Sequence, residues 1–183
     1  MADTFLLTAN CVPMGPTNPQ SLLALWNGAG SGVILRVYRA WVENASQDAA
    51  ITGTQGVLNL SRITASTSSN WTLTPLKCDT NNTTLPAQVT AGCKFTVTTS
   101  DVFRRMLWSN DEPAQQTMDI DNVEVIGGIA YLFDTGYNDA NTQPIVCREG
   151  QGVSIQAVSG FTATAPANAG YVDMFIEFTS AGS

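Results

Sequence analysis

Four segments of this chain alternate apolar and polar side chains with a period of two, the spacing that puts successive residues on opposite faces of a pleated strand. In residues 33–43 (VILRVYRAWVE), Val33, Leu35, Val37 and Trp41 share one face and Arg36 and Tyr38 lie on the other. Residues 57–65 repeat the pattern, with Leu58 and Leu60 against Asn59 and Ser61. In residues 93–99, Cys93, Phe95 and Val97 point in while Lys94, Thr96 and Thr98 point out. Residues 171–179 set Val172, Met174, Ile176 and Phe178 against Asp173, Glu177 and Thr179. A shorter strand is predicted at 71–74, ended by Pro75, which has no N–H for a ladder. Segments 124–133, 144–148 and 153–158 are further strand candidates, and 102–108 is either a strand or one short helix.

Polar turn segments separate these strands: NGAGSG at 27–32, TGTQG at 52–56, DTNNTT at 79–84 and DTGYNDAN at 134–141. Short strands at this spacing predict an all-β chain, a single β-sandwich or jelly roll of about eight strands. Composition agrees. Charged residues are only 13% of the 183 positions and hydrophobic residues 44%, against about 25% charged in typical globular chains. Long solvated helices need Lys, Glu and Arg on their outer faces, whereas strands tolerate the Thr, Ser and Asn found here.

Residues 1–28 fit the pattern less well. Leu22, Leu23, Leu25 and Trp26 are apolar, yet Pro13, Pro16 and Pro19 interrupt the stretch before them. The reading is an extended N-terminal arm over 1–28, docked on its own sandwich or on a neighbour, followed by one sandwich domain over 29–183. Phe5, Leu6, Leu7, Leu22, Leu23, Leu25 and Trp26 give that arm more apolar surface than a free segment should expose, which makes them interface candidates.

Charge and residue usage exclude several function classes. The chain has eight Lys and Arg against 15 Asp and Glu, a net charge of -7, and no basic tail, so nucleic acid is not an expected partner. No window reaches the roughly 18 to 20 apolar residues of a spanning helix, and the first 15 residues lack the basic start of a signal peptide. Synthesis in a cytoplasm is therefore expected, with Cys11, Cys78, Cys93 and Cys147 as buried free thiols and the sequons at Asn44, Asn59, Asn70, Asn81 and Asn82 unused. There is no histidine, which removes every triad and metal site that needs an imidazole.

The remaining candidates for chemistry each have a plainer reading. Asp119 and Asp121 would share one side of a strand, as a carboxylate pair must, or simply form an exposed edge. Asp134, Asn138, Asp139 and Asn141 offer oxygens for calcium without the spacing of a calcium loop, and are also ordinary turn residues. Gly127 with Gly128, and Gly150 with Gly152, lack the helix that a phosphate cradle requires. Lys77 and Lys94 could serve as bases for a Ser or Cys nucleophile, but no acid is paired with them in sequence. Arg104, Arg105 and Trp108 precede two acids, and these residue types are enriched at interface hot spots. The plain reading there is a strand end with a local ion pair.

Taken together, VILRVYRAW (33–41), FRRMLWSNDEP (103–113), QPIVCREGQGVSI (143–155) and YVDMFIEFT (171–179) resemble small structural proteins of tailed bacteriophage virions. Within these the chain is most similar to head decoration, or cement, proteins with a jelly-roll-like fold, over most of residues 30–180. The resemblance implies a non-enzymatic protein, made in the host cytoplasm, that decorates and stabilises the outside of a capsid. It also implies a homotrimer bound to the major capsid protein, without cofactor, metal or membrane, and it supplies no catalytic residues. N-terminal segments of that family reach neighbouring subunits, in keeping with the arm. Two other classes stay open. One is a receptor- or carbohydrate-binding tail module using Trp71, Tyr137 or Trp108 as sugar platforms, and the other is a carboxylate-based hydrolase.

Overall fold

Eleven strands in two antiparallel sheets make up the described part of the computed structural model, which covers residues 2–13, 20–44, 55–67, 71–109, 130–135, 143–158 and 171–182. In chain order they are β1 (Asp3–Pro13), β2 (Gln20–Asn27), β3 (Val33–Asn44), β4 (Gln55–Thr67), β5 (Leu76–Lys77), β6 (Val89–Gly92), β7 (Thr96–Ser109), β8 (Ala130–Asp134), β9 (Ile145–Cys147), β10 (Gln151–Val158) and β11 (Tyr171–Gly182). Sheet A runs β5-β1-β11-β3-β8, with β9 paired to the same edge of β3 as β8, and sheet B runs β6-β2-β10-β4-β7. The all-β sandwich expected from the alternation is the fold observed, and 102–108 is strand, inside β7.

One core fills the space between the sheets. Sheet A contributes Leu35, Val37, Ala40, Val42, Leu132, Cys147, Val172, Met174, Ile176 and Phe178, and sheet B contributes Leu58, Leu60, Ala91, Val153, Ile155 and Ala157. The inward set of β11 is the one that its alternation predicts, and all four side chains are fully buried. Each such Leu, Ile or Phe removed from water stabilises the fold by roughly 1.5–3 kcal/mol.

The 1–28 segment is not an arm. It supplies β1, paired along β11 from Asp3↔Ser180 to Pro13↔Tyr171, and β2, paired along β10 from Asn27↔Gln151 to Gln20↔Ala157. Phe5 (1% exposed), Leu7, Leu22, Leu23 and Leu25 (0%) belong to the sandwich's own core, and Phe5 stacks on Phe178 with ring centroids 5.4 Å apart. Of the three prolines, Pro13 closes β1, where a missing N–H costs least. Pro16 and Pro19 lie outside the described residues.

A bulge and a turn explain two further departures. Phe178 faces Val37 and Glu177 faces Arg39, so Tyr38 is an extra residue in β3. One extra residue reverses which side chains face the core. Beyond it Ala40 and Val42 point inward, while Trp41, expected in the core, stands on the outer face with Phe175 and Tyr131. The stretch predicted as one strand from Cys93 begins instead with a turn in which Lys94 has φ 56°. There Lys94 N–H donates to Ser21 O, and Phe95 is laid over the outer face of sheet B against Ala24 and Ile63. Residues 71–74 form only an isolated bridge, Thr72↔Gly92. Of the 124–133 candidate, only the part from Ala130 lies within the described residues, in β8.

Candidate interaction surfaces

Every interface candidate assigned to the arm moves once the fold is known. Phe5, Leu7, Leu22, Leu23 and Leu25 are sealed between the sheets and are not available to a partner. Leu6 alternates outward and sits half-buried opposite Glu177 on the outer face of sheet A. Trp26 is half-buried on the outer face of sheet B, packed with Ala24, Ile63 and Phe95. Arg104 and Arg105 remain exposed, on β7. Trp108 is on the same strand, opposite Gly56, and its side chain lies outside the described residues.

β7 is the end strand of sheet B, and its middle carries a mixed patch that sequence reading had only half identified. Val102 and Phe103 are exposed at 52% and 38%, next to Arg104 and Arg105. Three register shifts against β4 produce this. Leu60 faces Arg104 but Ser61 faces Val102, so Phe103 is the extra residue and is turned out of the ladder. Arg62 on β4 holds it, with the guanidinium 5.1 Å from the Phe103 ring centroid. Asp101 lies 3.9 Å from Arg62 Nε, and Arg105 Nε donates to Asn59 Oδ1 at 3.1 Å. Phe103, Arg62 and Arg105 are thus held side chains, beside the exposed Val102 and Arg104, on an acidic protein. Bulges along an outer strand also discourage backbone pairing with another chain, so its chemistry is that of side-chain contact.

The outer face of sheet A carries two parallel rows of side chains. Thr8, Phe175, Trp41 and Tyr131 are register neighbours across β1, β11, β3 and β8, and Leu6, Glu177, Arg39 and Asp134 are the next row. Trp41 stacks on Phe175 with centroids 4.9 Å apart and planes 9° apart, and it meets Tyr131 at 6.1 Å. Arg39 bridges Asp134 at 3.1 Å and Glu177 at 3.3 Å, and these carboxylates raise its pKa. Trp41 Nε1 donates to Glu43 Oε1 at 2.9 Å. Rings stacked across strands cover one another's faces, so this row is a cross-strand staple and not an open platform for a sugar.

Of the three aromatics expected as sugar platforms, Trp71 and Trp108 stand at opposite edges of sheet B. Trp71, 52% exposed, stands beside β6 at one edge of sheet B with Lys94 Nζ 4.9 Å from its ring centroid. Trp108 is on β7 at the opposite edge, four strand spacings or about 19 Å beyond β6. Tyr137 lies outside the described residues, as do Asp119, Asp121, Gly127, Gly128, Asn138, Asp139 and Asn141. Asp134, the described member of the expected calcium loop, already holds Arg39.

Among the described residues, no group of three or more Cys, Asp or Glu is placed to hold a metal. Gly152 is a packing glycine, since a Cβ there would collide with Leu25 O of the neighbouring strand. Lys77 donates to Thr84 Oγ1 at 3.3 Å. Cys93 and Cys147 are buried thiols whose pKa values burial raises to about 11 and about 12, whereas Cys78 is exposed, which corrects the expectation that all four are buried; the side chain of Cys11 lies outside the described residues. Set beside family models, curated proteins and solved structures, the chain matches none of them.

Proposed function

We propose that this chain is a non-enzymatic virion structural protein that decorates and stabilises the exterior of a phage capsid, docking on the shell through the side chains of β7. The observation that carries the reading is the exposed Val102–Phe103–Arg104–Arg105 stretch, in which Arg62 holds Phe103. An apolar pair set among arginines is the composition of an interface hot spot. The sandwich supports the same reading. Successive strands cross between the sheets so that β1, β11, β3 and β8/β9 face β2, β10, β4 and β7. That is jelly-roll order, used by viral coat and lectin domains alike, so the fold narrows the class without choosing the function. The net charge of -7 favours a protein partner over packaged nucleic acid. The N-terminal apolar residues Phe5, Leu7, Leu22, Leu23 and Leu25 are not the attachment surface, because they lie on core strands.

The test is reconstitution on purified phage heads stripped of this protein, with bound copies counted by quantitative mass spectrometry. Wild-type chain should bind at a fixed ratio to the major capsid protein. Phe103→Asp should lower occupancy about tenfold. Arg104→Ala with Arg105→Ala should weaken binding less, and mainly at low salt. Light scattering should find a trimer. Location at the tail tip, saturable binding to a glycan array, or undiminished head binding by Phe103→Asp would overturn the proposal.

A further inference from the structure

Residues 71–92 cross the side of the sandwich twice. The chain leaves the edge of sheet B, where Leu73 N–H donates to Ala91 O at 2.8 Å, and reaches sheet A as β5, paired to Phe5 and Leu6 of β1. It turns at Asp79–Thr84 and returns to sheet B as β6. The turn is tied to β1 by Cys78 N–H to Thr4 O at 3.0 Å, Asn82 Nδ2 to Thr4 O at 2.6 Å, and Thr83 N–H to Asp3 Oδ2 at 2.8 Å. Between the two passes lies a cavity of about 220 Å³, half open to solvent, that reaches Phe5 of the core.

Its lining is divided by polarity. Phe5 forms the inner end, and Leu73, Pro75, Leu85, Pro86 and Val89 form the walls. The two prolines have no N–H, so the walls bring fewer backbone donors that would need water. The polar groups are Thr74, Thr84 and Lys77, and the bond from Lys77 Nζ to Thr84 Oγ1 is 3.3 Å and exposed. Among the lining residues Lys77 is the one ionisable group; the Asp3 carboxylate outside the lining interacts with it only weakly and is bound instead to Thr83 N–H.

We propose that this cavity is a binding site for a small monocarboxylate carrying one ring or a branched aliphatic group, with the apolar part between the two passes and the carboxylate at Lys77 and Thr84. Size supports this, since a dry cavity near 150 Å³ accommodates benzene and 220 Å³ leaves room for one further polar group. Charge selects the anion: an ammonium has three N–H donors and the Thr84 bond uses one. The ties to β1 and β6 hold the walls in place before the ligand arrives, which lowers the ordering cost of binding.

The experiment is an amide NMR titration of the full chain with sodium benzoate, beside benzyl alcohol, benzylammonium and acetate. Benzoate should give saturable shifts at Leu73, Thr74, Lys77, Leu85 and Val89, with a Kd of about 0.1–5 mM for a ligand of about ten heavy atoms. Benzyl alcohol should bind about tenfold more weakly, and acetate and benzylammonium not measurably. Lys77→Met, which keeps the aliphatic stem, should bring benzoate down to the level of benzyl alcohol, and Val89→Phe should fill the cavity and abolish both. Equal shifts with acetate would show surface charge only. No saturable shift with benzoate, or unchanged benzoate affinity in Lys77→Met, would overturn the assignment.

Discussion

Glu149 shows how much one side chain can organise at the end of this sandwich. Its two carboxylate oxygens accept from Gly32 N–H at 2.8 Å and Gly30 N–H at 3.1 Å, joining the β2–β3 turn to the β9–β10 turn. The backbone there has φ of +77° at Gly30 and +66° at Gly32, which other residues adopt only with strain. Those two donors hold the Glu149 carboxyl below its ordinary value of 4.5. A depressed carboxyl contributes stability that is fully present above its unfolded value and is lost as pH falls through the folded one. The contribution of Glu149 to the melting temperature should therefore be constant above about pH 5 and be lost below it. Glu149→Gln should lower the plateau and flatten the acid limb, which thermal melts from pH 3 to 7 would measure. The thiols make a second prediction at this scale. Cys78 should react with a thiol reagent in the native protein, while Cys93 and Cys147, buried and raised to about 11 and about 12, react only in denaturant. Peptide mapping after pulse labelling distinguishes the three. The inward phase of Cys147 is readable from Ile145 two positions away, whereas a turn at Lys94 separates Cys93 in the core from Phe95 on the outer face, and Cys78 follows a two-residue strand that leaves no period to read.

At the level of elements, what was legible depended on whether alternation ran unbroken. β11 shows its buried face in sequence because Val172, Met174, Ile176 and Phe178 keep one phase throughout. β3 does not, since Tyr38 shifts the phase midway, and a bulge is a property of two strands together that neither sequence displays alone. β2 hides its pairing in the same way. Leu23 faces Ile155 and Ser21 faces Gln156, so Leu22 is extra, and Leu22 and Leu23 are both fully buried. β1 was legible in principle, with Phe5, Leu7 and Ala9 inward and Leu6 and Thr8 outward, but the prolines that follow it drew the whole segment into an arm. The β7 patch was half visible, because its arginines stand out in sequence while the bulge that exposes Phe103 does not. Deleting 1–28 should consequently abolish folding, read as loss of a cooperative urea transition, because it removes β1 and β2. The single change Leu25→Ala should cost about 2–5 kcal/mol in the same measurement. Gly152→Val should destabilise strongly too, by driving a side chain into Leu25 O of β2.

For the molecule as a whole, the two sheets share one core, so neither has a hydrophobic interior of its own. Unfolding followed by tryptophan fluorescence and by far-ultraviolet circular dichroism should give coincident transitions. Separate midpoints would mean that one sheet survives the loss of the other. The pairing order also has a consequence for synthesis. β11 lies between β1 and β3, and β10 lies between β2 and β4, so the partners of both inner strands come far earlier in the chain than the strands themselves. Until a ribosome has released residues 151–182, each sheet is a pair of halves with nothing to join them, and contacts of such long sequence separation form slowly. A nascent chain stalled before β10 would present the edges of β1, β2, β3 and β4 to solvent, as a substrate for chaperones and proteases, and only the finished chain would close both sheets at once.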